Sequence, residues 1–128
     1  MKSYSEIDTI SKRASRALGY SWGLSEEIGK NIRLLEMFGL HGVKNFNAYC
    51  SEFKKRKFQN INLIAKKNYA ETSSYCPITA GVNFLDQVNI LEELTDLEFR
   101  NIGFPLLFLP FVSRASEVIG KKIFLKLD

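Results

Sequence analysis

The sequence has 128 residues, of which 45% are hydrophobic and 25% charged, and its formal net charge is +4. This length and composition predict one globular domain and exclude a disordered chain, because enough apolar surface is present to form a core. The mildly basic charge agrees with nucleic acid, an anionic ligand or an acidic partner, and it decides between none of them.

Helix one is predicted from its two ends. Ser3 followed by Glu6 is typical of a capping box, so the helix is expected to begin at Ser3. Gly19 is the expected stop, because glycine takes the left-handed conformation without strain. Helical spacing assigns five residues to the buried face: Ile7, Ile10, Ala14, Ala17 and Leu18.

Helix two is expected to start near Ser21 or Ser25 and to end at Gly39. Glu26 and Glu27 are then placed in the first turn, where carboxylates suit the positive end of the helix dipole. Four residues are expected on the buried face of this helix: Ile28, Ile32, Leu35 and Phe38.

Helix three is expected over residues 43–53. Its predicted buried residues are Val43, Phe46, Tyr49 and Cys50 or Phe53. A basic run over residues 54–57 then marks a change of composition. From there to about residue 75 the chain is polar, with a short alternating strand predicted at 60–63 and loops at 66–68 and 72–74.

The back half carries most of the strand signals. Residues 82–85 suit either a strand or a helix, and residues 91–94 a helical turn. Residues 97–100 alternate in the manner of a strand. The apolar run 105–110, which prolines bound on both sides, is expected to form a buried strand.

The end of the sequence predicts a helix over 111–119, with Pro110 in its first turn and Gly120 as its stop, and then a lysine-edged strand over 121–127. The predicted fold is therefore mixed α/β (α+β). It consists of a three-helix unit followed by a small sheet with a C-terminal strand–helix–strand. One domain, 1–128, is expected, with a helical front half at about 3–53 and an α/β back half at about 60–128.

The cysteines and the hydropathy of the sequence indicate the cellular compartment of the protein. Cys50 and Cys76 fit no zinc or redox spacing, and His41 is the only histidine, so no metal or cofactor site is predicted. Two free thiols in a reducing cytoplasm are the favoured interpretation, and a disulfide between them stays open. The start of the sequence lacks the apolar segment of a signal peptide, and the longest apolar run is too short to span a bilayer. A cytoplasmic protein is therefore expected.

Four segments carry a resemblance over nearly the whole chain: 5–7, 19–29, Cys76-Pro77 with Gly81, and 105–111. In these segments the sequence resembles an uncharacterised bacterial family that is known only as a domain of unknown function. That resemblance implies no activity.

Residues 23–27 (Gly-Leu-Ser-Glu-Glu) and 40–43 (Leu-His-Gly-Val) carry a second resemblance, over about the first fifty residues. They are similar to the N-terminal helices of the malate/L-lactate/sulfolactate dehydrogenases, which are NAD(P)-dependent 2-oxoacid reductases. The resemblance implies that His41 donates a proton to a substrate carbonyl. Leu40 and Asn45 stand where that family has a serine and an arginine, and the sequence shows no nucleotide-binding body.

Two residues are candidates for catalysis. His41 lies in a predicted loop, where an imidazole can exchange protons near neutral pH, although a capping or surface role is the favoured interpretation. Cys76 is a candidate nucleophile if His41 or another base lies beside it.

The candidate ligand-binding residues are Trp22, Lys44, Asn45 and Arg114. Trp22 is expected to anchor the corner between two helices, with stacking on a flat ligand as the alternative. Arg114 can hold a carboxylate with its planar fork. The basic run is a candidate polyanion site, consisting of Lys54, Lys55, Arg56 and Lys57 between two phenylalanines. Nucleic-acid binding there is not expected, because most charge runs are solvated surfaces.

The favoured function is a non-catalytic small-ligand-binding protein or accessory subunit of intracellular metabolism. A homo-oligomer, a partner enzyme chain or a small anionic metabolite is the expected partner. One alternative is a small stand-alone enzyme that uses His41 as acid or base on a 2-oxoacid or a related molecule. The other is a polyanion binder that uses the basic run.

Overall fold

Helix α1 (Tyr4–Ala17) begins and ends at the predicted residues in the computed structural model, which describes residues 3–71, 73–91, 93 and 96–126. Ser3 Oγ accepts a hydrogen bond from the backbone N–H of Glu6 at 3.1 Å, and the Ser3 hydroxyl donates to Glu6 Oε1 at 3.3 Å. At the other end Gly19 has a φ of 101°, and the N–H of Tyr20 donates to the Ser15 carbonyl at 3.2 Å. The N-cap at Ser3 and the stop at Gly19 are therefore confirmed, whereas the Glu6 carboxylate accepts from the Ser3 hydroxyl, where a capping box uses the Ser3 backbone N–H.

Helix α2 (Trp22–Met37) starts at the first of the two predicted serines. Ser21 Oγ accepts from the N–H of Leu24 at 3.2 Å, so Glu26 and Glu27 lie in the second turn and not in the first as expected. Gly39, with a φ of 74°, ends the helix as predicted. Helix α3 (Gly42–Lys55) follows, which confirms the three-helix unit.

Small residues let α2 pack closely against both of its neighbours. A Cβ added at Gly29 lies only 2.7 Å from the carbonyl oxygen of Asp8 on α1. A Cβ added at Gly42 lies 2.8 Å from Leu35 Cβ, where α3 meets α2. Serines complete the close packing between α1 and α2, and three of them are buried: Ser11, Ser15 and Ser25.

Several apolar residues of α1 and α2 that were predicted to be buried are exposed. The buried face of α1 follows Ile7 and the serines, so Ile10 is 44% exposed and Ala17 is also exposed. Phe38, predicted to be buried, is 74% exposed at the end of α2. The rest of the α2 stripe is buried as expected: Ile28, Ile32 and Leu35.

The back half contains a small parallel sheet and two helices. Strand β1 (Lys67–Tyr69) pairs with β2 (Glu98–Arg100), with Asn68 opposite Phe99. Helix α4 (Pro77–Leu91) packs on α5 (Leu109–Ile119), and a short 3₁₀ turn, Pro105–Leu107, precedes α5. Their common core includes Ile61, Ile64, Tyr75, Ala80, Phe84, Val88, Phe108, Val112 and Ala115.

The mixed α+β fold class is confirmed, but three predicted strands are wrong. Residues 60–63 form a loop, because Asn83 Nδ2 donates to the Ile61 carbonyl and takes the place of a strand partner. Residues 105–110 form the 3₁₀ turn and the start of α5. Residues 121–126, the described part of the last predicted strand, form no strand. Residues 82–85 are helical, and 98–100 are the strand expected at 97–100. A helical turn was predicted at 91–94. Leu91 is the last residue of α4, and residues 92 and 94 lie outside the described residues.

The chain divides into two units, Met1–Lys57 and Phe58–Asp128, which we call unit 1 and unit 2. The boundary coincides with the predicted change of composition, and a single domain stays a prediction. Unit 1 has eleven Lys and Arg against six Asp and Glu, a net charge of +5, whereas unit 2 has seven against eight, a net charge of −1. No helix in the described part of the chain combines the length and apolarity that crossing a membrane requires.

Candidate functional site

His41 lies exposed at the N-cap position of α3. Its side chain does not cap the helix; instead Glu36 Oε2 accepts a hydrogen bond from the N–H of Gly42 at 3.2 Å. Its carbonyl accepts from the backbone N–H of Asn45 at 3.1 Å and from Asn45 Nδ2 at 2.8 Å. The amide of Asn45 is therefore engaged with the backbone, and Lys44 beside it is exposed.

Cys76 precedes α4 and is only 3% exposed. Its sulfur accepts a hydrogen bond from the N–H of Thr79 at 3.5 Å, so the thiol contributes to the start of the helix. Such a buried thiol is shielded from substrates in solution. Cys76 and Arg114, which is half-buried on α5, belong to unit 2, whereas His41 belongs to unit 1, so a site that combines them stays a prediction.

Cys50 differs from Cys76 in its surroundings. It is half-buried on α3, and both cysteines are free thiols in the structure. Burial raises the pKa of the Cys50 thiol, and the nearby charge of Lys54 opposes this only in part. The neutral thiol is therefore the favoured form at neutral pH, which does not suit a nucleophile.

Trp22 is the first residue of α2 and is 64% exposed, so its predicted place in the core is wrong. The guanidinium carbon of Arg16 lies 4.5 Å from the centroid of its ring, and Arg16 Nη1 donates to the Tyr20 carbonyl at 2.6 Å. The contact is a cation–π interaction on the surface. The corner between α1 and α2 is held instead by Tyr20, whose hydroxyl lies 2.6 Å from that of the fully buried Tyr49.

The basic run is divided between the end of α3 and the loop that follows. Lys54 and Lys55 occupy the last turn of α3, where positive charge stabilises the helix dipole. Arg56 forms an ion pair with Glu52, with 3.1 Å between Nε and Oε2. A structural role therefore accounts for three of the four charges, and polyanion binding by this run stays a prediction.

A surface groove lies between α1 and α3, because both helices pack on α2 and contact each other less. The α1–α3 groove has a volume of about 110 Å³. Its lining residues are Ile7, Ile10, Ser11, Ala14, Val43, Phe46 and Asn47. None of these side chains is an acid or a base at neutral pH, so the groove can bind an apolar group and cannot transfer protons.

Residues 2–75 match a family model described as a protein of unknown function, DUF3726. The chain belongs to this family. The predicted resemblance to a family of unknown function is confirmed over residues 2–75, which cover all three helices of unit 1 and continue through β1. Two of the four segments that carry it, Cys76-Pro77 with Gly81 and 105–111, lie beyond the match. No curated protein and no solved structure matches the chain. The similarity to the dehydrogenases is not among these matches and stays a prediction.

The DUF3726 region contains the α1–α3 groove and most of the predicted site residues, whereas Cys76 and Arg114 lie beyond it. Sequence reasoning missed the groove, since it assigned Ile10 and Ala14 to the core. It also missed the contact between Arg16 and Trp22, which lie on either side of the turn at Gly19. Within the described residues, no group of three or more His, Cys, Asp or Glu side chains could hold a metal ion.

Proposed function

We propose that the chain is non-catalytic and acts by binding, as an accessory subunit of a metabolic enzyme. The observation that carries this proposal is an apolar surface at the end of α2, the α2-end surface, formed by Met37, Phe38 and Leu40. These side chains are 51%, 74% and 37% exposed. Large apolar side chains that cluster in solvent are typical of a protein-binding surface.

The backbone holds the α2-end surface in a fixed shape. The N–H of Leu40 donates to the Leu35 carbonyl at 2.9 Å, and that of Gly39 donates to the Glu36 carbonyl at 3.0 Å. The carboxylate of Glu36 also joins this turn to α3. A preordered turn loses little conformational entropy on binding, which supports a role in recognition.

The charge around this surface supports a particular chemistry for the partner. Lys44 is exposed in the first turn of α3, six residues after Phe38, and unit 1 has a net charge of +5. The partner we propose is an enzyme chain that presents an apolar pocket with acidic side chains around it. Two free thiols support a reducing compartment, and we place the complex in the cytoplasm.

Replacing Phe38 with aspartate tests this function. Tagged wild type, Phe38→Asp and Val118→Asp are expressed in the native host, and the co-purified chains are identified and quantified by mass spectrometry. Val118 is the control, since it is an apolar residue 58% exposed on α5. We expect one enzyme chain in near-equal amount with wild type and Val118→Asp, and about tenfold less with Phe38→Asp. Equal recovery with Phe38→Asp, or no enzyme chain with wild type, contradicts the proposal.

A further inference from the structure

The α1–α3 groove is an apolar depression with positive charge beside it. Ile10, at its edge, is 44% exposed. Arg13 precedes Ala14 on α1 and Lys44 follows Val43 on α3, and both charged side chains are exposed. The groove therefore favours an apolar side chain with carboxylates nearby, and its volume of about 110 Å³ is in the range that takes one aliphatic side chain.

Unit 2 presents two large aliphatic side chains to solvent. Leu63 is 81% exposed and Ile90 on α4 is 79% exposed. Gln87 holds the loop of Leu63 against α4, because its Nε2 donates to the Asn62 carbonyl at 2.6 Å and its Oε1 accepts from the N–H of Ile64 at 2.9 Å. Ile90 follows Gln87 by one helical turn, so both apolar side chains lie beside this amide.

Carboxylates accompany this projection. Asp86 lies one turn before Ile90 on α4, and Glu93 lies three residues after it; both are exposed. Asp86, at i, i+4 spacing, lies next to Ile90 on the face of α4, and Glu93 follows in the turn just beyond the end of that helix. We call Leu63, Ile90, Asp86 and Glu93 together the acidic knob. Its two carboxylates are opposite in charge to Arg13 and Lys44 beside the groove.

We propose that the acidic knob of one copy of the chain occupies the α1–α3 groove of a second copy. Each copy carries one groove and one knob, and the assembly we expect is a dimer in which both pairs meet in equivalent contacts. In each contact an apolar side chain of the knob enters the groove, while Asp86 and Glu93 face Arg13 and Lys44. This interface differs from the α2-end surface, and it extends the proposed function by giving the accessory subunit a dimeric form.

Sedimentation equilibrium over a concentration series tests the dimer. We expect wild type to reach twice the monomer mass, and Ile90→Glu to weaken dimerisation at least about tenfold, since it places a charge in an apolar groove. Val118→Glu is the matched control and should dimerise like wild type. Circular dichroism verifies that each variant is folded. A wild type that stays monomeric, or Ile90→Glu that dimerises like wild type, overturns the proposal.

A charge exchange then tests which surfaces meet. One variant carries Arg13→Glu and Lys44→Glu, and the other carries Asp86→Lys and Glu93→Lys. Each variant alone places like charges across both contacts and should be monomeric, whereas an equimolar mixture restores opposite charges and should form the mixed dimer. A mixture that stays monomeric overturns the proposed pairing. Phe38→Asp should leave the dimer intact, so failure of the α2-end proposal and failure of this one are distinguishable.

Discussion

Gly81→Ala is expected to lower the free energy of unfolding by about 2 kcal/mol or more, which is the largest stability effect that a single methyl group should have in this chain. Gly81 lies on α4 where α5 crosses it, and an added Cβ comes 2.5 Å from Cγ of Phe111. Phe111 is completely buried, so its ring has no space into which to move. The overlap therefore outweighs the ~1 kcal/mol that alanine gains over glycine in a helix.

Urea unfolding measures this loss, with Asn89→Ala as the control at an exposed position on the same helix. Combining Gly81→Ala with Phe111→Leu should cost less than the sum of the two single changes, because both act on one contact. If Gly81→Ala is as stable as Asn89→Ala, α4 and α5 do not approach each other closely at Gly81.

Gly29→Ala is expected to destabilise unit 1 by about 1–2 kcal/mol. An added Cβ lies 2.7 Å from the backbone oxygen of Asp8, which can move only if α1 moves away from α2. Gly23 provides a matched control on the same helix, since nothing lies within 4 Å of a Cβ added there. Gly23→Ala should therefore stabilise the chain by up to ~1 kcal/mol.

The two alanine variants are compared by thermal and urea unfolding under the same conditions. Opposite signs are expected for the changes in the free energy of unfolding. A stabilising effect of Gly29→Ala equal to that of Gly23→Ala would show that helix propensity, and not the packing of α1 on α2, governs both positions.

The ends of the helices in unit 1 were predictable because they depend on local contacts. Ser3 and Ser21 each satisfy an N–H three residues along the chain, and Gly19 and Gly39 each take the left-handed conformation at a stop. None of these interactions requires a distant partner. The sequence therefore predicted all three helices of unit 1, with only the first turn of α2 misplaced.

The wrong strands in unit 2 depend on contacts that no short segment specifies. Residues 105–110 are apolar throughout, and such a run suits a buried strand or a buried helix equally. Here Phe104 takes a φ of 47° and turns the chain into the 3₁₀ segment before α5. Residues 121–126 alternate like a strand, but a strand requires a partner, and no described residue pairs with them.

The groove and the exposed aromatic residues were beyond sequence reasoning for a related reason. Helical spacing assigns an apolar stripe of α1 to the core, but the buried residues of this helix are Ile7, Ser11 and Ser15. Ile10 is therefore left beside the groove. Trp22 was expected to be buried as the anchor of a helix corner, although its position as the first residue of α2 leaves it in solvent. Of the candidate residues, His41 and Asn45 do lie together, through the backbone of His41.

Turnover by the pure chain is the most direct test of whether it is an enzyme. Wild type and His41→Ala are incubated with NADH or NADPH and a panel of 2-oxoacids, and cofactor absorbance is followed. We expect no oxidation above the protein-free blank for either protein, because His41 is exposed outside the groove and no lining residue can transfer a proton. His41→Ala should fold normally, as its imidazole does not cap α3. Oxidation by wild type that His41→Ala abolishes would contradict a non-catalytic function.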